Sequence, residues 1–389
     1  MSKVKQIPFY RDERYLSAAA QVVSGLLVVA LLWWLGVNFV RAAEARNLSL
    51  SFGFLDRPAG FPISDPAIPY TTNDSFGYAF LVGVLNTLRV AVAGVVAATV
   101  LGTMVALARL SSNWLLSKIA LAFIEFHRNI PLLVLLFIWY FTVFRELPAV
   151  GESIVLPGPI YLNQRGVYFT WPRLIETGWV FAAGLVLGIL ASIALWNILR
   201  ARRELTGKKT YFVEVSIAAL FVFPLVGWIL SGGEPFRFDV PSLQGFNIRG
   251  GLRLTPEFAG LFVALVTYTA AFIAEVVRSG IQAVDRGQLE AARALGLSGF
   301  HMMSFVVFPQ ALRVIIPPMI SQYLNLTKNT SLALAIGYQE LFSVGKIAIN
   351  QAGRAVPVFL MVMAVYLMIS LITALVLNLY NRRIQFVTR

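Results

Sequence analysis

The sequence predicts an all-α polytopic membrane protein, a bundle of about eight transmembrane helices with both termini in the cytoplasm. Three observations predict this class. First, 58% of the 389 residues are hydrophobic and 13% are charged, whereas a soluble domain is about 25% charged. Second, eight apolar segments are long enough to cross about 30 Å of hydrocarbon. Third, all four connections or tails on one predicted side of the membrane carry Lys or Arg, whereas the arginines of the loops on the other side occur with acidic residues and form no dense cluster.

The composition also excludes several classes of function. The net charge of +13 indicates basic cytoplasmic loops beside anionic membrane lipid rather than nucleic acid binding. With no cysteine and two histidines, disulfides and thiolate chemistry are excluded, and a metal site or a membrane-embedded enzyme is disfavoured. A P-loop needs Gly, four residues, then Gly-Lys-Ser/Thr, and segments 207–209 and 345–347 both lack that pattern. We therefore expect no catalytic residue, metal or cofactor on this chain.

The N-terminal part, residues 1–77, is predicted to contain a basic cytoplasmic tail, one span and an outer loop. Residues 16–40 form the span. A cleaved signal peptide is the alternative, because Ala43-Glu44-Ala45 resembles a cleavage site. An uncleaved anchor is favoured, since the apolar run exceeds the usual ~7–15 residues of a signal peptide.

Three further predicted segments complete the chain: residues 78–144, 145–255 and 256–389. The spans in these segments are expected at residues 80–108, 119–144, 178–199, 211–230, 258–277, 314–338 and 358–380. Pro131 is expected to kink or restart the third span, and Pro317-Pro318 to kink the seventh. Residues 145–177 and 231–256 are predicted as outer loops rich in Gly and Pro. Alternation of the spans then places a polar island, residues 285–309, in the cytoplasm.

This island is predicted to form two short helices. Asp285 can accept from the first free N–H groups, and Gln288 can reach back to it as in a capping box. Gly296 supplies a left-handed stop. Ser298 then caps a second short helix, which the breaker Pro309 is expected to end.

The same island carries a family resemblance. Glu290-Ala291-Ala292, then Gly296 and Val307-Phe308-Pro309, resembles the EAA loop of ABC importer permeases. Gly287-Gln288 before it, with residues 308–313 and Pro317-Pro318 after it, is similar to the polar amino acid branch. The match covers roughly residues 80–144 and 256–380. The chain also has an additional first span and an insertion, residues 145–255, with two extra spans. Both resemble the longer permease subunits of general L-amino acid and of glutamate/glutamine/aspartate/asparagine importers.

The resemblance implies the fold of a type I ABC importer and a place in the bacterial inner membrane. It implies an ATP-driven permease that moves L-amino acids inward with a second, related permease subunit. ATP and Mg²⁺ would then be bound by a homodimeric ATP-binding subunit, and a periplasmic amino-acid-binding protein would deliver substrate. The residues implied in coupling to the ATPase are Gly287, Glu290, Ala291, Ala292, Gly296 and Pro309.

Candidate residues of the substrate pathway come from three further motifs. Lys328-Asn329-Thr330-Ser331 resembles the family's K-[DN]-T-S-L, and a zwitterionic amino acid needs such donors and acceptors. Asn86 and Thr87, in a family-like N-T-L, are weaker candidates. Ordinary interhelical hydrogen bonding is the alternative for both groups.

The third motif contains Glu125 and Arg128 and resembles E-x-x-R-G-T-P-L-L, with Asn129 and Ile130 in place of Gly and Thr. An ion pair within one helix is the alternative for these two residues, because they are three apart. Glu275 and Arg278 repeat that spacing at the end of the sixth span. They are interpreted either as a helix-end ion pair or as part of the coupling mechanism.

The principal rival function is a secondary amino acid transporter driven by an ion gradient. Such a transporter would show inverted repeats and ion-binding acids at membrane depth, and we find no repeat in this sequence. A receptor or scaffold that does not transport remains compatible with composition, although the motifs argue against it.

Overall fold

The computed structural model describes residues 13–45 and 51–384. Twelve α-helices lie in this part of the chain: α1 Glu13–Ala45, α2 Phe76–Arg109, α3 Trp114–Asn129, α4 Leu132–Phe137, α5 Gly178–Thr206, α6 Phe212–Leu230, α7 Pro256–Gln282, α8 Arg286–Ala294, α9 Gly299–Met302, α10 Phe308–Asn329, α11 Leu341–Ala352 and α12 Ala355–Ile384. The chain forms two compact units, one of residues 1–120 and 272–389, the other of residues 121–271. The division into four segments at residues 77, 144 and 255 is a different partition and stays a prediction.

The helical membrane fold is confirmed. Within the described residues, seven helices are long and apolar enough to cross a membrane, and the count rises to eight if α3 and the helical segment Leu132–Phe144, which comprises α4 and a π-helical part, form one span. These two helices meet at an angle of 107°. Pro131 lies at that break, directly before α4, as expected for a residue that cannot continue the preceding hydrogen-bond ladder.

The two outer loops predicted in the insertion contain β-structure instead of irregular chain. Eight short strands occur there: β1 Ile154–Leu156, β2 Ile160–Asn163, β3 Gly166–Phe169, β4 Trp171–Leu174, β5 Phe236–Asp239, β6 Ser242–Gln244, β7 Asn247–Arg249 and β8 Leu252–Leu254. They pair as β1-β2-β3-β8, β4-β5 and β6-β7, all antiparallel. Gly158, Gly245, Gly250 and Gly251 lie in turns between these strands, whereas Gly166 and Pro172 lie within β3 and β4.

The first unit packs α2, α10, α11 and α12 together. Glycines allow this close packing: a β-carbon at Gly83 would lie 3.1 Å from the Leu341 backbone, and one at Gly345 would lie 2.9 Å from Val362. Helix α11 was not predicted, since residues 339–357 had been assigned to a connection between spans. Its existence depends on packing against α2 and α12, which sequence periodicity alone does not show.

The seventh span begins earlier than predicted. Residues Gly299–Ile336 form one helical run of 38 residues, comprising α9, a π-helical turn Met303–Val307, α10 and a 3₁₀ turn Thr330–Ile336. The prediction that Pro309 ends a second short helix is therefore wrong. Proline is tolerated in a first helical turn, and Pro309 occupies that place in α10. The π-turn before it relieves the clash of the proline ring with the preceding turn.

Candidate functional site

Helix α8 is the centre of the predicted coupling island. Asp285 caps its start and Gly296 ends it as predicted, whereas the side chain of Gln288 makes no hydrogen bond to Asp285, so the predicted capping box is not formed. The Asp285 carboxylate accepts from the Gly287 N–H at 2.6 Å. Gln288 contacts Asp285 through its backbone N–H, which donates to the Asp285 carbonyl at 3.1 Å. The first turn of α8 is thus satisfied locally, without a partner chain.

The C-terminal end of α8 is a Schellman turn. Gly296 has φ +73°, its N–H donates to the Arg293 carbonyl, and the Leu297 N–H donates to the Ala292 carbonyl at 3.1 Å. Both bonds belong to that motif. Ser298 then accepts from the His301 N–H at the start of α9, so four residues join α8 to the long seventh span.

The outer face of α8 is open and the inner face is packed. Glu290 and Ala291 are exposed, whereas Ala292 is 3% exposed. Large apolar side chains nearby also face outward: Leu295 is 80% and Phe300 is 78% exposed. Ala292 therefore permits close packing within this chain, while Glu290 and Ala291 remain available to another molecule.

The end of α7 is held tightly against α10 beside this island. Gly280 is buried, and a β-carbon there would overlap the side chain of Ile315. On the same helix end, Arg278 pairs with Glu275 and donates to the Gln282 side chain at 2.6 Å. The predicted helix-end ion pair of Glu275 and Arg278 is present in this geometry.

Two of the candidate substrate residues line one groove in the first unit. Lys328 and Ser331 lie at the point where α10 gives way to the 3₁₀ turn, and they border a cavity of about 740 Å³ together with Tyr366 and Ser370 of α12. Lys328 is exposed. Ser331 donates to the Lys328 carbonyl at 2.8 Å. This groove offers a cation and hydroxyl groups on an otherwise apolar surface.

The neighbouring candidates occupy different surroundings. Thr330 is fully buried and donates to the Thr327 carbonyl at 2.8 Å, while Asn329 is half-buried. In the second unit, Glu125 and Arg128 are exposed, and Glu125 accepts from the Asn129 amide at 3.1 Å. Among the predicted pathway residues of the first unit, Lys328 and Ser331 line the groove, and Asn329 and Thr330 are not part of its lining.

Asn86 and Thr87 are fully buried, and their side chains form hydrogen bonds between parts of the chain that are distant in sequence. Asn86 donates to the Gln339 carbonyl at 2.8 Å and accepts from the Ala67 N–H at 2.9 Å. Thr87 accepts from the Leu341 N–H at 3.2 Å. These bonds tie the outer loop and α2 to the chain before α11. Their place in a substrate pathway stays a prediction.

Sequence reasoning missed Glu340, which is completely buried. Its carboxylate caps α11 by accepting from the N–H groups of Phe342 and Ser343, both at 2.9 Å, and from the Tyr366 hydroxyl at 2.7 Å. Burial raises the pKa of Glu340 above its ordinary value, although these donors act in the opposite direction. One signal could have revealed it: Glu340 is the only acid after Glu290 in the sequence.

Relatives of known type cover almost the whole chain. The model of the "Binding-protein-dependent transport system inner membrane component" family matches residues 211–386. The general L-amino acid transport system permease protein AapQ of Rhizobium johnstonii is 42% identical, with 97% of this chain and 94% of that protein covered. The chain belongs to the amino acid permeases of ABC transport systems. It is therefore a multi-pass membrane protein and a transport component rather than an enzyme.

Two further relatives of the permease agree with this assignment. The putative amino-acid ABC transporter permease protein YhdX of Escherichia coli is 44% identical over 95% of this chain and 94% of its own length. The glutamate/glutamine/aspartate/asparagine transport system permease protein BztB of Rhodobacter capsulatus is 38% identical over 97% and 96%. The resemblance to the long permease subunits is confirmed, and the ion-driven alternative has no support.

The permease should depend on Glu340 for stability. Glu340→Ala removes the acceptor of two N–H groups and one hydroxyl, so we expect a loss of about 3 kcal/mol in unfolding free energy and a thermal midpoint lowered by several degrees. Glu340→Gln, which keeps one acceptor oxygen, should lose less. The measurement is helical circular dichroism of the detergent-solubilised chain during heating.

Glu290→Ala is the matched control for this comparison, because Glu290 is an exposed acid, and its midpoint should stay at the wild-type value. An unchanged midpoint for Glu340→Ala, combined with altered amino acid uptake, would assign the buried polar cluster to the pathway instead.

Proposed function

We propose that this permease forms the translocation pathway of an ATP-driven importer of L-amino acids, together with a second permease subunit in the bacterial inner membrane. A periplasmic binding protein supplies the amino acid, and a homodimeric ATP-binding subunit holds ATP and Mg²⁺. The names of AapQ and BztB support amino acids as the cargo. The observation that carries the proposal is a capped, outward-facing helix α8 fixed between two spans.

The proposed coupling step runs through α8. An ATPase that moves helices in another protein needs a rigid element on its surface, and a helix with satisfied ends meets that need. Glu290 and Ala291 provide its exposed polar face, and Leu295 and Phe300 provide exposed apolar area that docking would remove from water. Movement of α8 would pass directly to α7 and to the 38-residue seventh span.

The proposed pathway includes the groove beside Lys328 and Ser331. The Lys328 ammonium can pair with a substrate carboxylate, and the Ser331 and Tyr366 oxygens, whose protons are donated to the Lys328 carbonyl and to Glu340, can accept from a substrate ammonium. The groove is open on one side of this chain, which agrees with a pathway completed by a second permease subunit.

Reversal of charge at the docking face should abolish coupling. We expect Glu290→Lys to reduce uptake to less than about a tenth of wild type and to leave insertion into the membrane unchanged. The reason is that a lysine here would repel the partner cation that Glu290 attracts in the proposed contact. Glu204→Lys is the control, because Glu204 is an exposed acid at the end of α5 outside the island. Normal uptake by Glu290→Lys would remove α8 from the mechanism.

Loss of the groove cation should slow transport at saturating substrate supply. With liganded binding protein in excess, Lys328→Gln should lower uptake about tenfold, the effect of losing roughly 1.5 kcal/mol of a charged hydrogen bond. Lys346→Gln is the control, because Lys346 lines an adjoining cavity of about 280 Å³, which shares Phe342 and Val362 with the groove, and does not line the groove itself. Equal rates for the two variants would place the pathway elsewhere.

A further inference from the structure

Helices α5 and α6 form a tightly packed hairpin within the insertion. A β-carbon at Gly184 would lie 2.7 Å from the Phe223 carbonyl oxygen, and one at Gly227 would lie 2.9 Å from that of Val180. Small residues therefore bring the two backbones into contact, as is common in membrane bundles. This contact fixes the positions of the residues at both hairpin ends.

Tryptophan side chains lie near both ends of this hairpin, where we place the two membrane surfaces. Trp179 and Trp228 lie at the predicted outer end. At the other end, Trp196 packs edge-to-face against Phe212, with ring centroids 4.9 Å apart. Seventeen residues separate Trp179 from Trp196, which is about 26 Å at 1.5 Å per helical residue. That spacing is close to the ~30 Å hydrocarbon thickness, and tryptophan favours the headgroup level.

A basic turn follows immediately beyond Trp196, on the side that the positive-inside rule assigns to the cytoplasm. Its cations are Arg200, Arg202, Arg203, Lys208 and Lys209. Arg200 pairs with Glu204 at 3.0 Å. Arg203 lies over the ring of Phe212, 5.6 Å from its centroid, so the end of α5 and the start of α6 are in contact beside the basic residues.

This turn borders a cavity of about 290 Å³ that is open to solvent on one side and is lined by Arg203, Lys209, Thr210, Tyr211, Phe212, Val213 and Glu214. The space is roughly ten times the ~30 Å³ that a water molecule occupies in the liquid. The Thr210 hydroxyl donates to the Leu199 carbonyl at 2.9 Å and closes the turn. Two cations and one carboxylate thus face a space large enough for a polar headgroup.

The backbone at Tyr211 is strained in the same place. Its φ is +46°, and it is the one non-glycine residue with positive φ in the part of the chain that the structure describes. A left-handed conformation of this kind costs about 1–2 kcal/mol. Strain of that size often accompanies binding sites, and here it places Tyr211 at the wall of the cavity.

We propose that this cavity binds the phosphate-bearing headgroup of an anionic phospholipid from the cytoplasmic leaflet. Arg203 and Lys209 pair with the phosphate, and Glu214 accepts a hydrogen bond from a headgroup hydroxyl, as a glycerol headgroup provides. The α5–α6 hairpin is then anchored in lipid at a fixed depth. This site does not depend on the proposed coupling or on the identity of the transported amino acid.

Native mass spectrometry of the detergent-solubilised full chain tests the site, with phosphatidylglycerol and phosphatidylcholine as probes. Wild type should retain phosphatidylglycerol in preference to phosphatidylcholine. The double variant Arg203→Gln/Lys209→Gln should bind phosphatidylglycerol about thirtyfold more weakly, from about 1 kcal/mol for each basic residue. The charge-preserving variant Arg203→Lys/Lys209→Arg should bind within about threefold of wild type.

The control variant is Arg200→Gln/Lys208→Gln, which removes the same charge from the same turn but from outside the cavity lining. An equal loss in that control would show diffuse attraction and overturn the site. Displacement of the lipid by millimolar inorganic phosphate at constant ionic strength would assign the cavity to free phosphate instead. If the neutral variant does not fold, equal retention of both lipids by wild type would by itself contradict the proposal.

Discussion

The close contact between α7 and α10 at Gly280 is the constraint on which the region around α8, the helix that we propose for coupling, depends. Because glycine has no side chain, Ile315 occupies the space where a β-carbon would stand. Burial of both residues resists separation of the two helices, since an opened gap would lose packing contacts. Helix α7, which precedes α8, and the seventh span, which follows it, are therefore in contact close to α8.

The connections on either side of α8 are short, so this contact lies close to α8 on both sides. Three residues, 283–285, join α7 to α8, and residues 295–298 join α8 to α9 through a Schellman turn and a serine cap. Backbone hydrogen bonds occupy both connections. In the proposed coupling step, displacement of α8 is passed to α7 and to the seventh span through these short connections.

The parts predicted well from sequence are those with local causes. The N-cap Asp285, the stop at Gly296 and the cap at Ser298 each act within four residues, so sequence spacing identifies them. Helix α11, the strands of the insertion and the role of Glu340 were missed because they depend on distant partners. Glu340 is satisfied partly by Tyr366, and β3 pairs with β8 across some 85 residues. Pro309 was misjudged because proline serves equally as a helix breaker and as a first-turn residue.

The most direct test uses the absence of cysteine from the natural sequence, so that one introduced thiol is unique in this chain. Ala291→Cys is labelled with a short photo-crosslinker in the assembled complex in native membranes, and the adducts are identified by mass spectrometry. We expect adducts with a P-loop ATPase chain, and none from Leu205→Cys, an exposed position near the end of α5 on the predicted cytoplasmic side. Adducts only with lipid or with another copy of this chain would contradict the proposed coupling through α8.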